Sequence, residues 1–150
     1  MKKSTIPIAL LILLFGCGTL GGFDPRTFST KKIYIEHAID SLYSVYPEYR
    51  MPAKWKKYDF WDSAGYGFLE TRMFYFKNPP EEMYYVSFIE YPSQDTTTTT
   101  ISIRSVFNGE RWTKEEDTHR QEKDRIEKRF DSEIVSKLGR FSNSYVITDN

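Results

Sequence analysis

The sequence predicts an α+β fold, a small antiparallel sheet of about four strands with two helices packed on it, in the order α-β-β-β-α-β. Three observations carry the prediction. Apolar residues recur at helical steps in two segments, one in the first third of the chain and one in the last third. Three segments between them are rich in aromatic or β-branched residues and are separated by turn signals. Aromatic residues make up 17% of the chain (11 Phe, 11 Tyr and 3 Trp), enough large rings to bury a core and to argue against disorder.

The first helix is expected over residues 31–46, capped by Ser29 or Thr30 and ended by Pro47. Ile35, Ala38, Ile39, Leu42 and Tyr46 fall at steps of three and four, one apolar stripe to set against the sheet. Residues 47–65, with Pro47, Pro52, Trp55, Tyr58, Phe60 and Trp61, read as a long aromatic loop. Strands follow at Tyr66–Phe76 and Met83–Tyr91, joined by the turn Asn78-Pro79-Pro80-Glu81. The threonine-rich tract Asp95–Thr100 leads into a third strand, where Thr99, Ile101, Ile103 and Phe107 mark an apolar face. Asn108-Gly109 is a tight-turn signal that folds Arg111 and Trp112 back on it.

The second helix is expected to start at Thr113, whose spacing to Glu116 is that of a capping box, and to end at Gly139 in a left-handed cap. Ile126, Phe130, Ile134, Val135 and Leu138 form its inner face. Its first half, 113–125, has almost no apolar residue and belongs in water. Ser144–Thr148 is a last strand.

The first residues have a different character. Met1-Lys2-Lys3, the apolar stretch Ile6–Phe15 and Gly16-Cys17-Gly18 give a basic start, a short greasy core and a small residue before a cleavage point, as in a secretory signal peptide. The apolar stretch is about half the roughly 20 residues a spanning helix needs. Leu14-Phe15-Gly16-Cys17 resembles the lipobox of bacterial lipoproteins, with Phe15 where the family more often has a small or aliphatic residue. The resemblance covers residues 1–17 alone and implies cleavage before Cys17, acyl chains on that cysteine and attachment to the cell envelope. Gly18 lacks the aspartate that retains enteric lipoproteins in the inner membrane, which implies the outer membrane. Cys17 is the chain's single cysteine, so it has no disulfide partner within the chain. The expected organisation is a signal peptide at 1–16, a lipidated cysteine and short tether at 17–28, and one domain at 29–150.

Without residues 1–16 the chain carries 19 basic and 21 acidic side chains, Lys2 and Lys3 having left with the signal. Such a balance gives no basic footprint for nucleic acid. No cofactor motif is present, and no serine-nucleophile motif accompanies the two histidines. His37 falls opposite the first helix's apolar stripe and reads as solvated. Glu116 and His119 have the Glu-x-x-His spacing of a metal half-site, but a di-iron bundle needs two such motifs, so the expectation is a surface pair and no metal. Asp59, Asp62 and Glu70 could supply a carboxylate pair for hydrolysis. Asp62-Ser63-Ala64 and Asp95-Thr96-Thr97 resemble the O-glycosylation sites of some Bacteroidetes.

The aromatic segment is the expected site. Trp55, Tyr58, Phe60, Trp61 and Tyr66, with Phe68 beside them and Lys56, Lys57 and Asp59 interleaved, could stack on a sugar, anchor a protein contact or sit at a membrane boundary. The competing expectation is that these rings are core. The function expected is that of a non-catalytic, lipid-anchored envelope protein contacting another envelope protein or a glycan. The alternatives are a carbohydrate or small-ligand module and a carboxylate-based hydrolase.

Overall fold

In the computed structural model, residues 22–91 and 96–148 are described; the expected signal peptide, Cys17 and Asp95 lie outside them. The elements are β1 Arg26–Phe28, α1 Lys32–Val45, β2 Thr71–Phe76, β3 Glu82–Ile89, β4 Thr99–Phe107, β5 Trp112–Thr113, α2 Arg120–Phe130 and α3 Ser136–Ser142. Every strand pairing is antiparallel. The sheet runs β1-β4-β3-β2, with β5 also on β4, so the α+β class and its antiparallel sheet are as expected.

Helix α1 buries Ile35, Ala38, Ile39 and Leu42, the stripe read from the sequence. Tyr46 lies just past its end, half-buried against the core. Neither Ser29 nor Thr30 caps it; Lys31 stands at the cap without a side-chain bond. Pro47 does stop it, opening a 3-10 turn at Pro47–Tyr49.

The second helix differs more. Thr113 belongs to β5 and Glu116 to a separate 3-10 turn, so the expected capping box does not form; the helix begins after His119. It then runs through α2, a π turn at Asp131–Val135 and α3, with helical backbone angles at both junctions. Ile126, Phe130, Ile134 and Leu138 are all buried. Strict steps of four drift by about 40° per step on an α-helix of 3.6 residues per turn, about 120° over three steps. A π turn unwinds the helix locally and keeps all four on the sheet side.

Gly139 is not the cap. Asn143 is, in the left-handed conformation at φ 50°. The Ser144 N–H donates to the Gly139 carbonyl at 2.9 Å and the Asn143 N–H to that of Arg140 at 3.3 Å, the bonds of a Schellman ending. Glycine still suits 139, because a Cβ there would make a tight contact, 3.0 Å from the Ser144 carbonyl oxygen.

The expected last strand reduces to one bridge, Val146 against Phe28 of β1. The tether boundary at residue 28 also shifts. Phe23 is 1% exposed, its N–H donates to the Ile103 carbonyl, and Phe28 is fully buried. The folded unit therefore reaches back to Gly22. Three strand residues behind a glycine-rich stretch give no period to read.

One sheet face carries Phe74, Phe76, Tyr84, Val86, Phe88, Ile101, Ile103 and Val106 against the helices. The other carries Tyr75, Met83 and Phe107 against the aromatic loop. Phe107 does not share a face with Ile101 and Ile103. The register shifts at Arg104, opposite Tyr85 and Val86, and this bulge turns the end of β4 over.

The helical layer is clamped to the sheet through one buried carboxylate. Glu82, 3% exposed, is ion-paired by Arg125, receives a bond from Arg129 Nη1 at 3.2 Å, and accepts from the Tyr84 hydroxyl at 3.1 Å. Arg129 also donates to the carbonyls of Pro80 (2.6 Å) and Asn78 (2.8 Å), and lies over the Phe76 ring. Removing both arginines leaves the buried Glu82 charge without a cation, so Arg125→Met with Arg129→Met should lose about 3–5 kcal/mol. Urea unfolding monitored by circular dichroism measures this. A loss below about 1 kcal/mol would show that the cluster is solvated rather than buried.

Candidate functional site

Pro52 starts a 3-10 turn at Ala53–Tyr58, in which residues three apart eclipse. Trp55 and Tyr58 therefore share one side, and both meet Phe107, at centroid distances of 5.0 and 4.4 Å. Trp55 also meets Tyr75 edge-on at 5.2 Å. Lys56 and Lys57 fall outside, in water. A second turn, Asp62–Tyr66, follows, reversing at Gly65, whose φ of 94° suits glycine.

Trp61 closes the middle of this face. It stacks on Tyr85 at 4.4 Å and 12°, stacks with Phe60 at 5.8 Å, and meets Trp112 edge-on at 5.0 Å. The Trp112 indole N–H donates to the Tyr58 carbonyl at 3.1 Å. Trp55 and Trp61 are 6% and 8% exposed. Their rings are occupied by protein, so neither tryptophan is displayed for a ligand. Tyr58 and Tyr66 are half-buried.

What remains outside is a smaller set. Phe60 is 45% exposed, Phe68 71% and Tyr91 50%. Phe60 and Phe68 are linked through Trp61 and Tyr66, each ring touching the next. Phe68 and Tyr91 stand on a shallow groove with Leu69, Ile89 and Arg104 between them. Phe68 was part of the expected aromatic site, and Tyr91 is the functional candidate that sequence reasoning missed. It ends a segment expected to be strand, where an exposed ring looks the same as a buried one.

A larger groove lies on the helical side, lined by Arg26, Asp131, Val135, Arg140, Tyr145 and Ile147. Two of its charges are engaged with each other, Arg26 making two bonds to Asp131 at 2.6 and 2.9 Å.

The acidic candidates separate. Asp59 and Asp62 lie near each other on the aromatic loop; burial, then the charge of Asp62, raises the Asp59 carboxyl above its usual range. Glu70 joins a different cluster, with Lys32 at 2.5 Å and Arg72 at 3.6 Å. A hydrogen bond from Glu36 to Glu70, with burial, raises the Glu36 carboxyl. Burial works against ionising Glu70, but Lys32, Glu36 and Arg72 together hold its carboxyl low. Two carboxyls in direct contact leave no room for the glycosidic oxygen and water that glycoside hydrolysis places between them. This pair clamps α1 to the start of β2.

Glu116 and His119 sit on separate elements and are both exposed, and among the described residues no group of His, Cys, Asp or Glu is arranged to hold a metal ion. His37 is exposed, as read. Asp62-Ser63-Ala64 lies on an exposed turn, with the Ser63 hydroxyl donating to the Phe60 carbonyl. No described helix is long and apolar enough to cross a membrane.

Comparison with known protein families, with characterised proteins and with solved structures gives no match.

The buried and displayed rings should separate on mutation. Trp61→Ala should cost about 3–5 kcal/mol and Phe68→Ser no more than about 0.5 kcal/mol, read from urea midpoints. Equal costs would mean that the loop does not close the sheet as described. Buried phenols give a second test. Burial pushes the Tyr49 and Tyr75 hydroxyls up to about 12, helped by Glu133 and Glu81 respectively, and burial raises Tyr43 and Tyr84 further. The fold favours the neutral phenol, so this stability is complete below the ordinary value of 10.0 and is lost as pH rises through about 12. Ultraviolet titration should show a late class of phenols ionising together with alkaline unfolding.

Proposed function

We propose that this chain is a lipid-anchored envelope protein whose domain works by contact rather than catalysis, touching another envelope component through the rings exposed on its loop face. The carrying observation is the division of the aromatic set. Trp55, Trp61, Tyr75 and Phe107 are consumed in closing the sheet, yet Phe60, Phe68 and Tyr91 stay in water along one connected surface. Burying one such side chain fully is worth about 1.5–3 kcal/mol, which a partner covering this surface would recover. The lipobox at Leu14–Cys17 supports the anchor, and Gly18 favours the outer membrane.

The glycan-binding alternative relied on displayed tryptophans, and the burial of Trp55 and Trp61 counts against it.

Two measurements test the proposal. Intact mass of the protein extracted from membranes should show diacylglyceryl and amide-linked acyl chains on Cys17, and Cys17→Ala should abolish membrane fractionation. Crosslinking through photoreactive groups at exposed Lys56 should give an envelope adduct that Phe60→Ser with Phe68→Ser reduces about tenfold, the equivalent of ~1.4 kcal/mol. A free Cys17 thiol, or an adduct indifferent to both rings, would defeat it.

A further inference from the structure

We infer that the envelope component met by Phe60, Phe68 and Tyr91 is the bilayer itself: the loop face of the sheet lies on the lipid surface, with its rings at headgroup depth. The inference rests on the lipid-anchor reading above and adds an orientation to it.

The first argument is where the chain joins the fold. Gly22 packs on β4, and a Cβ at that position would stand 2.9 Å from Ser102 Oγ and 3.4 Å from Arg104 Nη1. Ser102 pairs with Ser87. Arg104 donates to Ser87 Oγ at 2.6 Å and forms part of the groove that carries Phe68 and Tyr91. The anchored end of the chain therefore joins the domain beside the exposed rings.

The second argument is reach. Five residues separate Cys17 from Phe23, the first buried side chain. Fully extended, the six Cα steps between them span about 20 Å at most. A lipidated Cys17 lies in the interface, so the face around Gly22 is held within that distance of it. The helical side also exposes apolar groups, Phe141, Tyr145 and Ile147, beside a groove that Pro25 and Arg26 help to line. It is the packing of Gly22 on Ser102 and Arg104, and not reach alone, that favours the loop face.

The third argument is chemistry. Phe60, Phe68 and Tyr91 are spread along one face with half-buried Tyr66 and Ile89 between them. Tyrosine partitions to the membrane–water boundary, and phenylalanine beside it buries its ring at the headgroup–acyl border. Lys56 and Lys57 are offset on the same loop by Asp59 and Asp62, so the contact depends on rings and not on anionic lipid. Apolar contact of this kind resists salt, which screens exposed charges.

The test uses the mature lipidated protein, extracted from membranes and reconstituted in phosphatidylcholine vesicles. Tryptophan reporters are placed at Phe68→Trp and, on the helical side, at Tyr145→Trp, both exposed positions where the fold tolerates change. Emission is read above that of the unsubstituted protein. Lipids brominated near the glycerol end of their chains should quench the residue 68 reporter about twofold or more, as expected for a ring at headgroup level. The residue 145 reporter should be unaffected, and neither result should change with added salt or anionic lipid. Quenching of neither reporter, of both equally, or of residue 145 alone would overturn the orientation. So would a residue 68 reporter shielded in native membranes by a protein partner and untouched by the brominated lipid. Intact mass of the same sample separates the two levels: acylated Cys17 with no quenching at residue 68 defeats the orientation alone, whereas a free thiol defeats the anchor and the orientation together.

Discussion

A carboxylate buried at the start of β3 holds this fold in register. Glu82 faces the helical layer at a point where its charge is met from α2, by Arg125 and Arg129, with the Tyr84 hydroxyl donating from its own strand. Through Arg129 the same contact reaches the Asn78-Pro79-Pro80 turn, so helix, turn and strand cannot shift independently. Apolar packing alone would tolerate a slide of the helix along the sheet, since its buried residues are interchangeable in chemistry. A charge taken out of water allows only the arrangement that meets it. The π turn begins one residue beyond Phe130, next to this fixed point, and takes up the mismatch between residues spaced by four and an α-helix of 3.6 residues per turn.

The second constraint is a sheet with apolar side chains on both faces and helices for one of them. β3 is buried along almost its whole length, which an open face would not give. The long aromatic loop supplies the missing layer. It does so with short 3-10 and π turns rather than a helix, because two prolines, a glycine and clustered rings break any longer period. Rings suit this work: each covers a large area with few rotatable bonds. The chemistry of the loop face follows from that economy, because the rings nearest the sheet are spent on structure and those at the margin remain available for contact.

Much of this was legible in the sequence where local pattern and tertiary role agree. The stripe of α1, the Asn108-Gly109 reversal onto Trp112, and the inner face of the second helix all carry their period within a few residues. The failures share a cause. β1 is three residues long and draws its stability from β4, about seventy-five positions away, so nothing near it announces a strand. Thr113 has the spacing of a cap, but its backbone is taken by Val106. In the candidate site, six rings were read as one surface. Burial divides them, with Trp55 and Trp61 inside and Phe60 outside, and residue type alone carries no such division. Tyr91 escaped notice because exposure within a strand-like segment is set by what the chain lays over it.

The pairing of β1 with β4 also orders events in time. Arg26 leaves the ribosome early, yet its partner Ile101 follows seventy-five residues later. At 5–20 residues per second, that is a wait of roughly four to fifteen seconds. Val146, which bridges Phe28 from the other side, comes later still. The first strand thus stays unpaired until the rest of the molecule has been made, and the sheet's edge is the last part of the fold to close.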